Sequence, residues 1–393
     1  MLLVGIASAP AHAENFRAQQ WHLDAMGAEE IWQLSTGKGV TVAVIDSGVD
    51  KSNPDLRGQV LEGKDLATDE SGDQFTDYTG HGTGMAGLIA GTGDRDGGTG
   101  AFGLAPGAKI LPIRVSGLDA GGGSMADSDA EFNRVVPPAI KYAADSGAKV
   151  INVSLGAGAG SQALTDAVKY ALDKGSLIFA STGNTADKGN QVEYPAATPG
   201  VVGIGAVDDK AKHVSTSQYG SQVDMVAPGK DMVHACGGGT GMCKSTGTSD
   251  ATALASAAAA LLWSKHPDWT NNQVLKVMLD TAAKPKGGES RSDYIGFGAI
   301  RPLRTLKTPG DPGPGDVRPI DDLTETATAT PTSSGDQPSA DPGPVESSAT
   351  PAPTPQASQE DAGNTGLWIG LGIGAAVLVG AAIAVPVLRS RRG

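Results

Sequence analysis

Five unbroken apolar runs, set apart by helical patterns, constrain this chain more than any other feature. They are VTVAVID (40–46), AKILPIRV (108–115), AKVINVSL (148–155), SLIFAS (176–181) and GVVGIGAV (200–207). A half-exposed strand alternates apolar with polar residues. A run that stays apolar throughout suits a strand covered on both faces, as in a parallel sheet between two layers of helices. The segments 127–147, 161–175 and 251–267 read as helices between or after these strands. Gly147 and Gly175 stand where left-handed C-caps belong, and Pro267 follows a helix end. The alternation predicts an α/β fold over residues 14–307, a parallel sheet with helices on both faces and no internal repeat.

The flanks differ in composition. Residues 308–365 are rich in Pro, Ser, Thr and Ala and carry ten acidic residues against the single Arg318. Such a stretch cannot offset the entropy of ordering, so it reads as an extended, self-repelling tether. Residues 366–388 carry no charge and, as a helix of about 35 Å, are long enough to cross a bilayer core. Trp368 suits an interface, and the arginines of the 389–393 tail place that end in the cytoplasm. Residues 1–13 form a short apolar run ending in Ala11-His12-Ala13, a small-x-small pattern that reads as a cleaved signal peptide. The expectation is a single-pass protein of the cell membrane with its globular body on the extracytoplasmic side. A net charge of −13 and only 4% aromatic residues argue against a nucleic-acid partner.

Chemistry in an open parallel sheet gathers where strands end. Asp46 closes the first run, just before Ser47-Gly48; alone, an acid there is as often a ribose ligand or a turn residue. Of six histidines, His12 falls in the leader, and His22, His213, His234 and His266 read as polar or loop residues. His81 differs, lying between two glycines at the head of GHGTGMAGLIAG (80–91). Ser249 opens the Ala-rich helix of STGTSDATALASAAAALL (245–262), where it is either a plain N-cap or a nucleophile at a positive dipole end.

In the order Asp46, His81, Ser249 these blocks resemble the subtilase family of serine proteases. SNPDL (52–56), GLAPGAKILPIRV (103–115), VINVSLG (150–156), SLIFASTGN (176–184), EYPAATPGVVGIGAVD (193–208) and QYGSQVDMVAPG (218–229) extend the likeness over about residues 20–306. No G-x-S-x-G elbow supports an α/β-hydrolase instead. The resemblance implies that Ser249 is the nucleophile, His81 the general base and Asp46 its orienting acid. It implies that Asn184 and the Ser249 amide hold the oxyanion, and that Ser154, Leu155 and Gly156 pair with substrate backbone. Protein or peptide substrates follow, with no cofactor. No calcium site is assigned, because loops such as Asp94-Arg95-Asp96 read equally as solvated. Segments 152–160 and 180–184 carry no charge, which favours a small or apolar side chain on the acyl side of the cut bond.

The chain departs from the family pattern at three places. Asp250 stands where Met is usual, and could place negative charge near the oxyanion and slow catalysis. Ala253 replaces a helix proline, and Gly84 replaces a common second histidine. The 32 intervals from Glu14 to Asp46 are too few for a folding prodomain. Cys236 and Cys243 bracket GGGTGM; outside a membrane they are expected to form a disulfide, two free thiols being the alternative. A zinc site needs more ligands than these. The overall layout resembles the mycosins, anchored subtilases associated with type VII secretion machinery. A broad-specificity surface protease and a non-catalytic scaffold of a secretion complex remain the other readings.

Overall fold

A computed structural model of the chain describes residues 15–116, 124–237 and 241–323. Two short helices, α1 (Trp21–Met26) and α2 (Ala28–Leu34), lead into strand β1 (Thr41–Asp46). There follow β2 (Lys64–Asp65), α3 (His81–Ala90), β3 (Lys109–Arg114), α4 (Met125–Asp145), β4 (Val150–Val153), α5 (Gln162–Asp173), β5 (Leu177–Ser181), β6 (Val202–Val207) and β7 (Met225–Pro228). A hairpin of β8 (Met232–Ala235) and β9 (Met242–Ser245) precedes α6 (Thr248–Lys265), α7 (Asn271–Thr281) and α8 (Pro302–Lys307).

Seven strands form one parallel sheet in the order β2-β3-β1-β4-β5-β6-β7. The apolar runs are unbroken because both faces are buried. Val42 and Val44 of β1 join a core with α3, α6 and α7, while Ala43 and Ile45 join a second core with α4 and α5. Helix α6 passes through the first core, and its residues from Ala251 to Trp263 are buried on every side. Its alanines are therefore the small residues that close packing against the sheet requires. Gly147 (φ 76°) and Gly175 (φ 84°) adopt the left-handed conformation just beyond α4 and α5.

Chain order reverses between β1 and β4, which lie side by side although β2 and β3 come between them in sequence. The crevice at the carboxyl ends of these two strands is where an open α/β sheet leaves room for a ligand.

One boundary moves. The tether expected from residue 308 begins as part of the folded body. Thr270 Oγ1 donates to the Gly315 carbonyl (2.9 Å), Gln273 Nε2 to the Gly313 carbonyl (2.8 Å), and the Gly200 amide to Asp322 Oδ2 (2.8 Å). Arg318 pairs with Asp322, and Ile320 packs on the first core. Composition alone missed this because the segment is held by its own backbone carbonyls, the Asp322 carboxylate and the single apolar Ile320, which need no apolar period. The expected signal peptide at 1–13, the rest of the expected tether, the expected span at 366–388 and the tail lie outside the described residues. No helix among the described residues is long and apolar enough to cross a membrane.

Candidate active site

The crevice is a cleft of about 870 Å³ whose lining includes Asp46, His81, Ser154, Leu155, Gly156, Asn184 and Ser249. Asp46 ends β1 with its side chain fully buried, and its Oδ1 lies 2.7 Å from His81 Nδ1. The same oxygen accepts the Ser47 amide at 2.8 Å. His81 is the first residue of α3. Asp77 fixes this helix start by accepting the Gly80 amide (2.8 Å) on one oxygen and the Thr83 amide (2.8 Å) on the other. The glycines flanking His81 have separate uses. Gly80 takes a left-handed turn (φ 77°), and Gly82 lies so close to β1 that a Cβ there would come within 2.1 Å of the Gly48 carbonyl. Burial opposes charging the His81 ring, but the Asp46 carboxylate, with Asp250 and Asp77 nearby, raises its pKa from 6.5 to about 9.

Ser249 is the second residue of α6, whose N-cap is Gly247, so it is not the capping residue. Its hydroxyl donates to the Ser154 carbonyl (3.1 Å), and Ser154 Oγ donates in return to the Ser249 carbonyl (3.2 Å). Its bond to His81 is therefore not made in this rotamer. Asn184 follows β5, and its Oδ1 accepts the Thr248 amide at 2.8 Å. Since a backbone N–H can only donate, this contact leaves Nδ2 as the free end of the side-chain amide. Ser154, Leu155 and Gly156 continue beyond β4. Leu155 is partly buried and packs on the second core, while Gly156 is exposed. Cys236 and Cys243 form a disulfide across the β8–β9 hairpin. Among the described residues no cluster of His, Cys, Asp or Glu is arranged to hold a metal.

The sequence signature of the subtilase family matches residues 37–298. The chain is a subtilase. It is 38% identical over 272 residues to the thermophilic serine proteinase of Bacillus sp. strain AK1, an alignment covering 68% of this chain and 62% of that one. It thus spans just under two thirds of that relative. Over 267 residues it is 37% identical to a subtilisin of Bacillus pumilus, covering 67% of this chain and 90% of the relative. Among solved structures, the MycP3 protease from the type VII (ESX-3) secretion system superimposes with a TM-score of 0.65 at 33% identity, over 76% of this chain and 90% of that one. MycP1 from Mycobacterium smegmatis gives 0.67 at 28% identity, over 79% and 89%.

Two of this subtilase's departures prove to be one feature. His234 on β8 is buried, not in a loop, and donates from Nδ1 to the Ala235 carbonyl (2.7 Å). Its Nε2 lies 2.8 Å from Ser245 Oγ on β9, which in turn bonds the Asp250 carboxyl. Burial pushes the imidazole pKa down and the carboxyl pKa up, each shift opposed by the attraction between the two groups. Gly84 supplies the room: a Cβ there would come within 2.6 Å of His234 Cε1. The Asp250 carboxyl is engaged by Ser245 and lies 3.7 Å from His234 Nε2, and its charge adds to the field at His81. Sequence reasoning missed His234, although the departures at 84 and 250 both point to it.

Proposed function

We propose that this subtilase is an extracytoplasmic serine endopeptidase, anchored to the cell membrane, that makes limited cuts in protein substrates handled by a type VII secretion system. The 2.7 Å contact between Asp46 and His81, in a cleft also lined by Ser249 and Asn184, carries the chemical part of the reading. A substrate strand laid along Ser154–Gly156 brings its carbonyl carbon to Ser249 Oγ. Rotation about the Ser249 Cα–Cβ bond exchanges the Ser154 carbonyl for His81 Nε2. His81 then takes the hydroxyl proton and later returns it to the leaving amine, while Asp46 holds the Nδ1–H tautomer and stabilises the imidazolium. Negative charge developing on the carbonyl oxygen meets Asn184 Nδ2 and the Ser249 amide at the positive end of α6. Hydrolysis of the acyl-enzyme repeats these steps with water as nucleophile.

The secretion link is supported by similarity to MycP3 and MycP1 of type VII secretion systems, and by the leader, tether and anchor expected from sequence. Labelling by a fluorophosphonate, lost in Ser249→Ala, tests the chemistry; an unlabelled wild-type chain would leave a scaffold. N-terminal profiling of the cell-surface proteome with and without a Ser249→Ala allele tests the biology. A small set of cut sites in exported proteins should disappear, whereas wide loss of fragments would indicate general degradation.

A further inference from the structure

The uncharged segments 152–160 and 180–184 both contribute to the lining of the cleft with Ser249, and a third segment joins them. Tyr194 is bridged to Ala157 by two backbone bonds, from Ala157 N (2.9 Å) and from Tyr194 N (2.8 Å), which brings Glu193 into the cleft lining. The Glu193 carboxyl lies between the first two segments at positions where both are glycine. A Cβ on Gly156 would come within 2.5 Å of its Oε2, and one on Gly183 within 2.6 Å of its Cδ. The glycines therefore leave space for a carboxylate reaching in from below.

Among the described residues only neutral groups donate to that carboxyl. Gln218 Nε2 reaches Oε1 at 2.7 Å, and the Thr185 hydroxyl adds to it. The buried Gln218 also has its own Oε1 without a hydrogen-bond partner. Burial raises the Glu193 pKa above the usual carboxylate range, the mark of a negative charge that lacks a counter-ion. Lys188 lines the cleft as well but is exposed and forms no ion pair with Glu193 among the described residues.

We propose that Glu193 makes this cleft select lysine or arginine on the acyl side of the scissile bond. The proposal rests on the peptidase reading above and names the substrate class of that same site. A strand paired with Ser154–Gly156 and carrying its reacting carbonyl to Ser249 directs the preceding side chain between these two segments. A long cationic side chain lays its methylenes against Leu155 and the glycines and places its donors on the carboxylate. An apolar side chain in the same place leaves a half-buried carboxylate without a counter-charge, the costly arrangement.

The test is a set of otherwise identical fluorogenic peptides with Arg, Lys, Ala, Phe or Glu at that position. They are assayed against the parent and Glu193→Gln, with active sites counted by fluorophosphonate titration. The parent should give kcat/KM values for Arg and Lys at least about tenfold above Ala and Phe. In Glu193→Gln the Arg-to-Ala ratio should fall about 10²-fold. In the parent that ratio should also fall as pH drops through the Glu193 titration. A labelled, active parent that prefers Ala or Phe, with Glu193 merely filling the space, overturns this inference and leaves the peptidase reading intact. A ratio unmoved in Glu193→Gln overturns it too. No labelling and no cleavage of any peptide removes both readings. Should Glu193→Gln fail to fold, the preference and pH dependence of the parent still decide.

Discussion

Replacing Gly84 by alanine tests whether the His234–Ser245–Asp250 network is a rigid part of the site. The added Cβ would sit 2.6 Å from His234 Cε1 and 3.0 Å from Nδ1. Ordinary contact begins near 3.4 Å, so the ring must give way by most of an ångström. It has little freedom to do so, being 4% exposed and hydrogen-bonded at both nitrogens. Overpacking of this kind costs about 1–3 kcal/mol, and the helix gains about 0.5–1 kcal/mol from alanine. The net expectation is a loss of roughly 0.5–2 kcal/mol, or about 1–4 °C in Tm for a domain of this size. Calorimetry in a Ser249→Ala background, which prevents self-digestion, measures it. The decisive comparison is a double-mutant cycle with His234→Ala, where Gly84→Ala should become neutral or stabilising because the obstructing ring is gone. Equal destabilisation with and without His234, or stabilisation with His234 present, would refute the reasoning. Gly84 also lies one helical turn beyond His81, so in the active chain the same change should slow fluorophosphonate labelling.

Three further outcomes are expected. Asn184→Ala should lower kcat by about 10²–10³ with little change in KM, the magnitude known for such a donor in a subtilisin and carried over here; steady-state kinetics on one good peptide reads it. Catalysis needs neutral His81, and the neighbouring carboxylates raise its pKa to about 9, so kcat/KM should climb with pH along a limb centred well above 6.5; a limb at or below 6.5 contradicts this. His22 on α1 is buried without a hydrogen-bond partner, and burial lowers its pKa to about 3. Between pH 6.5 and 3 the unfolded chain therefore binds a proton that the folded chain refuses, and stability falls with pH by up to about 1.4 kcal/mol per unit. His22→Phe should flatten that slope in urea titrations at pH 7 and pH 4.5.

The sheet was legible because its physics is local. A strand covered on both faces must be apolar at every position, so β1, β3, β4, β5 and β6 appear as continuous runs. The short β7, Met225–Pro228, and the two strands of the disulfide-closed hairpin are too short to stand out as such runs. The blocks around Asp46, His81, Asn184 and Ser249 were legible for a related reason: each needs particular neighbours adjacent in sequence, such as Gly82 beside His81, where a Cβ would meet the Gly48 carbonyl.

By itself, then, the sequence determined the α/β architecture, the family and the residues that meet in the cleft, because period, capping and motif spacing are properties of short stretches. Tertiary structure alone decided what surrounds them. It brought Glu193 between Gly156 and Gly183, turned His234 inward onto Ser245 and Asp250, and docked residues 308–323 on the body. Each of these depends on contacts between residues far apart along the chain, and no local pattern marks a carboxylate that will reach a cleft through the backbone bridge of its neighbour.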